Sequence, residues 1–461
     1  MGKRNAAPLN LRRADRHASI WVRGFLLITL LAMIAGFYLS PLGAFLNLFA
    51  IIAWLSVGVA ALRLFAVRHS KPYRPKASPD TNFPFYSVLV PILNEDNMVG
   101  PLMNRLERLE YPKGKLEIFL ICEEGDSKTI RAVRLNLRPP FHLIITPKGT
   151  PQTKPRALNY ALQYAKGELI TIYDAEDKPH PEQLKSAWAA FLKRPDWAAL
   201  QAPLDYYNSQ TNWLTRQFTL EYAALFHVWV PFLATLGAPF PLGGTSNHIR
   251  RNALEVCKGW DAHNVTEDAD LSFRLAALGY KIGFLDCPTE EEAVANLKDW
   301  HKQRARWMKG YMQTWMVHMH RPLRPFSWIG VMRFLTLQFT LGYTLLCASV
   351  FTPAVVFALI YPILHYIWGF TLPFSLPYLL ALGLSLGVGI LIGMVGAIRA
   401  GKPDLILSAL FMPLYWILLF WPTVRALIEL WASPFHWHKT PHGVSPPREN
   451  NTNDLSSAPA E

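Results

Sequence analysis

Two long stretches without a charged side chain constrain what this chain can fold into. Residues 24–62 and residues 334–398 contain no Asp, Glu, Lys or Arg. A helix needs about 20 apolar residues to cross the hydrocarbon core of a bilayer, so each stretch is long enough for two crossings. The first stretch is expected to break at Ser40-Pro41-Leu42-Gly43, and the second between His365 and Pro377. The sequence therefore predicts membrane-spanning helices at both ends of the chain.

The placement of basic residues predicts how these helices are oriented. Charged residues make up only 17% of the chain, which is low for a soluble protein, yet the net charge is +13. Lys and Arg gather beside the apolar stretches, an arrangement that suits a lipid bilayer and argues against nucleic acid as a partner. Both outer flanks of the first stretch are basic and its central turn is not. The sequence thus predicts a multi-pass protein of the inner (plasma) membrane whose N-terminal hairpin has both ends in the cytoplasm.

These boundaries divide the chain into segments. A run at 405–424 holds two prolines and either crosses the membrane or dips in and returns. Helices over 203–241 either lie at the membrane interface or form a buried pair. The four cysteines have neither metal nor redox spacing and are predicted to be reduced. The predicted segments are a basic cytoplasmic tail (1–20), two transmembrane helices (21–67), a linker (68–84), a soluble domain (85–325), an interfacial helix with about three transmembrane helices (326–432) and a polar tail (433–461).

The soluble domain has the pattern of alternating strands and helices. Short apolar runs at 87–93, 117–122, 142–146 and 169–173 read as buried strands, and helical patterns lie among them. This alternation predicts an α/β fold with a parallel sheet covered by helices. In such sheets, ligands bind beyond the carboxyl ends of the strands.

Acidic residues follow three of these strands, and a basic loop precedes the fourth. A carboxylate beside a turn often does no more than cap a helix. Three acidic strand ends and one basic loop at the same sheet edge instead favour a nucleoside-diphosphate sugar, whose phosphates need a divalent ion and a cation. The residues are Asn94 and Glu95 after the first strand, Glu124 after the second, Lys154 in the loop, and Asp174, Glu176 and Asp177 after the fourth.

Two motifs further along the chain complete the pattern. Thr266-Glu267-Asp268 lies at a predicted loop-to-helix junction, where Thr266 could cap the helix and Asp268 could act as a general base. Gln303-Arg304-Ala305-Arg306-Trp307 combines guanidinium groups that bind phosphate with an indole on which a sugar ring can stack. The alternative for this pentapeptide is a basic amphipathic patch on the membrane surface.

In their order, these motifs resemble those of a membrane-embedded family 2 glycosyltransferase of the cellulose-synthase-like group. The resemblance covers roughly residues 87–313 and extends to the flanking apolar helices. It implies an α/β GT-A fold, a Rossmann-like mixed sheet, as a cytoplasmic domain inserted between N- and C-terminal transmembrane helices. It further implies inverting, processive transfer of a sugar, with glucose favoured, from a UDP-sugar to a growing β-glycan that is exported across the membrane.

The resemblance also implies roles for individual residues. Asp268 would be the catalytic base, with Glu267 beside it, and Thr266 and Trp307 would contact the acceptor glycan. Mg²⁺ or Mn²⁺ would be held by Asp174, Glu176 and Asp177, and accessory export subunits are possible partners. The nucleotide sugar would be bound by Asn94, Glu95, Glu124, Lys154, Asp174, Gln303 and Arg306.

Two departures and two alternatives accompany this hypothesis. The family usually has Asp at the positions of Glu124 and Glu176, and glutamate adds one methylene while keeping the charge. One alternative is a non-processive enzyme that transfers a single sugar to a lipid or polyprenyl phosphate. The other, a transporter with a nucleotide-sensing domain, is disfavoured because His365 is almost the only ionisable residue of the apolar stretches.

Overall fold

The computed structural model describes residues 14, 20–78, 81–320, 328–369 and 376–436. Nearly all of the basic N-terminal tail and most of the polar C-terminal tail predicted above lie outside these residues.

The chain alternates strands and helices between two groups of long apolar helices. Strands are β1 (Tyr86–Ile92), β2 (Leu116–Glu123), β3 (Phe141–Thr146), β4 (Leu169–Ile172), β5 (Lys178–Pro179), β6 (Trp197–Gln201), β7 (Leu204–Tyr206), β8 (Asn247–Arg250), β9 (Lys281–Phe284) and β10 (Thr289–Glu291). Helices are α1 (Ile20–Leu39), α2 (Pro41–His69), α3 (Val99–Leu106), α4 (Ser127–Asn136), α5 (Lys154–Leu162), α6 (Gln183–Lys193), α7 (Trp213–Ala224), α8 (Val230–Thr235), α9 (Arg251–Val256), α10 (Glu267–Ala277), α11 (Leu297–His318), α12 (Trp328–Thr336), α13 (Tyr343–Leu346), α14 (Thr352–Trp368), α15 (Leu376–Arg399), α16 (Met412–Ile417) and α17 (Phe420–Ala432). Short π-helical segments occupy Leu225–Trp229, Leu337–Gly342 and Cys347–Phe351. Short 3₁₀-helical segments occupy Asp96–Met98, Pro403–Leu405 and Leu407–Phe411.

A seven-stranded mixed sheet forms the centre of the soluble domain, in the order β3-β2-β1-β4-β8-β6-β9. The first four predicted strands are present, and β3, β2, β1 and β4 run parallel. Strand β8 pairs antiparallel with both β4 and β6, which makes the sheet mixed. Alternate side chains of β1 enter apolar cores on opposite faces, with Leu89 on one face and Val88 on the other. The carboxyl ends of the parallel strands therefore meet at one edge, as predicted.

A second, three-stranded sheet was not anticipated from the sequence. It has the order β5-β10-β7 and is built from very short strands. Strand β10 carries Glu290 and Glu291 alongside Leu204 to Tyr206 of β7. This small sheet brings a glutamate-rich segment to the edge where the acidic strand ends lie.

The apolar helices match several of the sequence predictions. The predicted break falls between α1 and α2, where the Ser40 hydroxyl accepts a hydrogen bond from the Gly43 amide at 3.2 Å. Residues 403–432 are interrupted by tight turns before α16 and α17. All four cysteines are free thiols. Among the described residues, the helical stretches long and apolar enough to cross a membrane are Ala50–His69, Trp213–Thr235, Trp328–Trp368, Leu380–Arg399 and Pro403–Ala432.

Candidate active site

One cavity of about 490 Å³ joins the sheet edge to the apolar helices. Its polar end is lined by the strand-end and loop residues Glu95, Lys154, Asp174 and Glu176. Its other end lies among side chains of α2, α13, α15 and α16. We call the part framed by these helices the membrane arm. The motifs predicted from distant parts of the sequence thus largely share a single enclosed space.

Lys154 and Asp174 form the ionic centre of the polar end. Lys154 begins α5, and its ammonium contacts the Asp174 carboxylate and donates to the Gly244 carbonyl at 2.8 Å. Burial lowers the pKa of Lys154, but the carboxylates of Asp174 and Glu267 more than offset this, and the net shift is upward. Lys154 therefore stays charged and can face a phosphate group.

Asp177 supports the loop after β4 rather than facing the cavity. One of its oxygens accepts hydrogen bonds from the Asp174 amide at 2.8 Å and from the Thr245 hydroxyl. Asp177 is fully buried and is absent from the cavity lining, whereas Glu176 lines the cavity. Of the two acidic residues after Ala175, Glu176 is thus the one placed to meet a ligand.

Glu267 and Asp268 lie in the first turn of α10 and line the cavity. Thr266 occupies the cap position, but its side chain makes no capping hydrogen bond, so the capping alternative is not realised. Its hydroxyl instead approaches Asn264 Oδ1 at 3.3 Å. Burial, together with the charge of Asp268, raises the pKa of Glu267 to about 7, and burial also raises the pKa of Asp268. The upward shift brings the pKa of Asp268 closer to the working pH, which suits a general base.

Helix α11 presents the Gln-Arg-Trp motif to the same space. Gln303, Arg306 and Trp307 all line the cavity. Arg306 Nη1 lies 3.5 Å from the Val265 carbonyl, just before the acidic turn. Burial lowers the pKa of Arg306, while Glu267 and Asp268 act in the opposite direction. The motif is part of a helix packed inside the protein, so it is not a basic patch on the membrane surface.

Arg304 has a role that the sequence did not reveal. Its guanidinium donates to Glu221 Oε1 at 3.0 Å and to the Tyr415 hydroxyl at 2.6 Å. It also lies 4.6 Å from the centre of the Trp307 ring and 4.3 Å from that of Phe218. Arg304 therefore holds Trp307 against α7 and α16, a contact that only the tertiary structure creates.

Two predicted nucleotide-binding residues lie outside the cavity lining. Asn94 is exposed and has a φ of 51°. Its backbone N–H donates a hydrogen bond to the Asp126 carboxylate at 2.5 Å. Glu124 is also exposed and accepts from the Lys148 amide at 3.1 Å. Its neighbour Glu123 lines the cavity instead and pairs with Arg156 at 3.0 Å. Strand β2 ends at Glu123, and Glu124 begins the turn that follows, so the two side chains take different positions.

Glu291 is a further cavity residue that sequence reasoning missed. It lies on β10, and its Oε1 is buried without a hydrogen-bond partner in the described part of the chain. Burial, and then the charges of Asp177 and Glu176, raise the pKa of Glu291 well above its usual range. The run Glu290-Glu291-Glu292 was the available signal, but nothing in the sequence places it beside β4.

The donor set at this edge has the chemistry of a divalent-cation site. Carboxylate oxygens are the ligands that Mg²⁺ prefers, and Asp174 and Glu176 offer them. Burial and the charge of Asp174 raise the pKa of Glu176 well above its usual range. A bound cation would lower this pKa by stabilising the charged carboxylate. Among the described residues, however, no three His, Cys, Asp or Glu side chains are already spaced as ligands of one ion.

Carboxylates at the strand ends of a mixed α/β sheet share one cavity with a lysine of α5 and an arginine of α11, an arrangement that indicates a glycosyltransferase. Comparison with known proteins agrees. The chain belongs to glycosyl transferase family group 2, whose family model matches residues 169–433.

Relatives and solved structures extend this assignment. The chain is 28% identical over 263 residues to a beta-monoglucosyldiacylglycerol synthase of Trichormus variabilis, covering 56% of this chain and 55% of the relative. It is 26% identical over 304 residues to the synthase of the same name from Synechocystis sp., covering 63% of each chain. The chain thus spans between half and two thirds of the length of these relatives.

The mannosyltransferase PcManGT of Pyrobaculum calidifontis, solved with GDP-Man and Mn²⁺, shares the fold. Its TM-score is 0.56 at 18% identity, covering 84% of this chain and 99% of the mannosyltransferase. The protein therefore has a GT-A-like glycosyltransferase fold, as predicted. Both synthases are named for a lipid product.

Proposed function

We propose that the protein transfers one sugar from a nucleoside-diphosphate sugar to a hydroxyl group of a membrane lipid. The observation that carries the proposal is the shape of the cavity, which continues from the carboxylates at the sheet edge into the membrane arm. A lipid acceptor needs both environments, because its head must reach the sugar while its chains stay among apolar side chains. A water-soluble acceptor would need only the polar end.

In the proposed reaction, the acceptor hydroxyl oxygen attacks the anomeric carbon of the sugar, and the bond from that carbon to the diphosphate breaks. Asp268 takes the hydroxyl proton, and the nucleoside diphosphate leaves with the bonding electron pair. Attack opposite the leaving group inverts the anomeric configuration. Lys154 and Arg306 face the charge that develops on the diphosphate and stabilise it more in the transition state than in the ground state.

The other predicted residues take supporting positions. Glu95, Asp174 and Gln303 line the polar end and would contact the nucleotide sugar. A divalent ion held by Asp174 and Glu176 would neutralise the diphosphate. Trp307 lines the same cavity and would offer its ring to the sugar or to the acceptor head. UDP-glucose remains the favoured donor, with UDP-N-acetylglucosamine second, and the donor site is proposed to face the cytoplasm.

The test is to supply purified full-length protein in detergent with radiolabelled UDP-sugars, Mg²⁺ or Mn²⁺, and a bacterial lipid extract. We expect label in the organic phase, in a product bearing one sugar. Label that stays in the aqueous phase as free sugar would contradict the proposal.

A second function, processive synthesis of a β-glycan, is favoured by one observation. Gln303, Arg306 and Trp307 line the cavity together, in the arrangement that the resemblance to cellulose-synthase-like enzymes implies. Product size separates the two functions. Label in a polymer that is excluded from a sizing column and digested by a linkage-specific hydrolase would support the glycan synthase.

A further inference from the structure

The membrane arm contains a charged side chain that the proposed reaction does not use. Most of the arm's lining is apolar or carries a hydroxyl, as with Phe339, Thr340 and Leu386. Arg63 also lines it, from the second half of α2. At about 1.5 Å per residue, Arg63 lies about 9 Å before the C-terminal end of that helix. Of the described lining residues from α2 and from residues 328–419, Arg63 is the one with a charge.

Arg63 differs from the other cations around the cavity. Lys154 is paired with Asp174, and Arg304 with Glu221. The half-buried Arg63 guanidinium has no ion pair or hydrogen bond within the described residues. Its Cζ atom lies over the Tyr343 ring, 5.9 Å from the ring centre. A guanidinium in a membrane helix is costly unless an anion or water meets it.

The chemistry of the missing partner follows from the guanidinium and its surroundings. The planar fork of donors matches a phosphate, which it can bind through two parallel hydrogen bonds. A phosphate placed among apolar side chains at the end of a membrane helix is most simply that of a lipid head group. Free phosphate has no hydrocarbon chain to pack against the apolar side chains that line the membrane arm.

Building on the proposed function, we propose that the acceptor is a lipid with a phosphate in its head group and that Arg63 binds this phosphate. The lipid chains lie in the membrane arm, and the hydroxyl that receives the sugar extends toward Asp268. A glycerophospholipid with a free hydroxyl in its head group, such as phosphatidylglycerol, supplies both the phosphate and the hydroxyl. A polyprenyl phosphate does not, because its phosphate oxygen would itself attack the sugar and would have to lie at Asp268 rather than at Arg63. Arg63 would thus be a specificity-determining residue that separates a hydroxyl-bearing glycerophospholipid from neutral diacylglycerol.

The test compares three lipids and three variants of the full-length protein by native mass spectrometry. The lipids are phosphatidylglycerol and diacylglycerol with the same acyl chains, and a polyprenyl phosphate. The variants are Arg63→Gln, Arg63→Lys and the matched control Arg68→Gln, which removes an exposed guanidinium from the same helix outside the cavity lining. Binding of the nucleotide sugar by each variant verifies that it is folded.

We expect Arg63→Gln to weaken binding of phosphatidylglycerol by about tenfold or more, the usual size of a hydrogen bond to a charged group. Arg63→Lys should lose less, Arg68→Gln should change binding by less than about twofold, and diacylglycerol should bind all variants equally. Dependence on Arg63 seen with polyprenyl phosphate alone would contradict a glycerophospholipid acceptor. An Arg63→Gln protein that binds all three lipids like the wild type, or that loses diacylglycerol to the same extent, would overturn the inference.

The labelled product distinguishes failure of this inference from failure of the proposed function. A glycolipid that retains phosphate supports both. A neutral glycolipid, formed equally well by wild type and Arg63→Gln, refutes the role of Arg63 but leaves lipid glycosylation standing. If no lipid takes up label, the proposed function fails, and with it the assignment of this lipid as the acceptor.

Discussion

Gly310 on α11 packs directly against Thr266, the residue that precedes the acidic turn. A β-carbon on Gly310 would lie 2.8 Å from Cβ of Thr266 and closer still to its hydroxyl and methyl groups. Real β-carbons essentially never approach that closely, so this glycine sets the distance between α11 and the start of α10. The helix that carries Arg306 and the turn that carries Asp268 are therefore fixed relative to one another by the absence of a side chain.

Gly310→Ala should accordingly separate Arg306 from Asp268. Overpacking of this kind costs about 1–3 kcal/mol, and displacing a catalytic group by an ångström can lower the rate about 100-fold. We expect a modest loss of thermal stability and a large loss of kcat. Gly383→Ala on α15 is the control, because nothing lies within 4 Å of a β-carbon there. If the two variants retain similar activity, close packing at Gly310 does not position the site.

Asp268→Asn should abolish transfer while leaving donor binding intact. The amide keeps the shape of the carboxylate but cannot accept the proton of the acceptor hydroxyl, and general-base catalysis contributes about 10²–10⁴-fold. Turnover and nucleotide-sugar affinity should be measured on the same preparation. Asp196→Asn, in an exposed ion pair with Lys281, serves as the control and should remain active. Turnover of Asp268→Asn near the wild-type value would reject Asp268 as the base.

The pH dependence of transfer should follow the Glu267–Asp268 pair. Burial raises the pKa of both, that of Glu267 to about 7. Because the base Asp268 acts only when deprotonated and burial raises its pKa, kcat/KM should fall at acidic pH, at a higher pH than for an ordinary aspartate. In Glu267→Gln the neighbouring negative charge is gone, so the pKa of Asp268 falls and the acidic limb moves to lower pH. An acidic limb at the same pH in both proteins would show that the two carboxylates do not titrate together.

The sequence predicts those structural features that are set by short, continuous stretches of the chain. The four parallel strands and the break near Ser40 follow from runs of apolar residues and from a proline, and the structure contains them. The ordered motifs predict that Lys154, Asp174, Asp268 and Arg306 meet, because the carboxyl ends of parallel strands share one edge. These residues do line one cavity.

The features that sequence reasoning missed depend on contacts between distant segments. Glu291 reaches the cavity only through the short pairing of β10 with β7. The choice of Glu123 over Glu124 depends on where β2 ends, and a shift of one residue turns a side chain to the opposite face. Arg63 is an ordinary basic flank in the sequence, and it lines the cavity only because α2, α13 and α15 enclose a common space.

Removal of divalent metal should stop the reaction. With Asp174 and Glu176 as oxygen donors, a bound ion would offset the charge of the diphosphate, which Lys154 and Arg306 alone match only in part. We expect incubation with EDTA to abolish transfer and Mn²⁺ or Mg²⁺ to restore it, with Ca²⁺ less effective. Unchanged activity after exhaustive chelation would mean that Lys154 and Arg306 stabilise the diphosphate without a metal ion.

The ion pair formed by Arg304 and Glu221 should be needed both for stability and for acceptor binding. Arg304 is 3% exposed and Glu221 28% exposed, and Arg304→Gln leaves Glu221 with the Tyr415 hydroxyl as its partner, so the change should cost less than the value of about 3–5 kcal/mol typical of fully buried pairs. Because the guanidinium also lies against Trp307, the ring should lose its fixed position, which raises KM for the acceptor more than for the donor. Thermal unfolding and steady-state kinetics measure the two effects. Lys185→Gln, which breaks the exposed pair with Glu110, should change stability by less than about 1 kcal/mol. A variant with normal acceptor KM but lowered stability would restrict Arg304 to holding α11 in place.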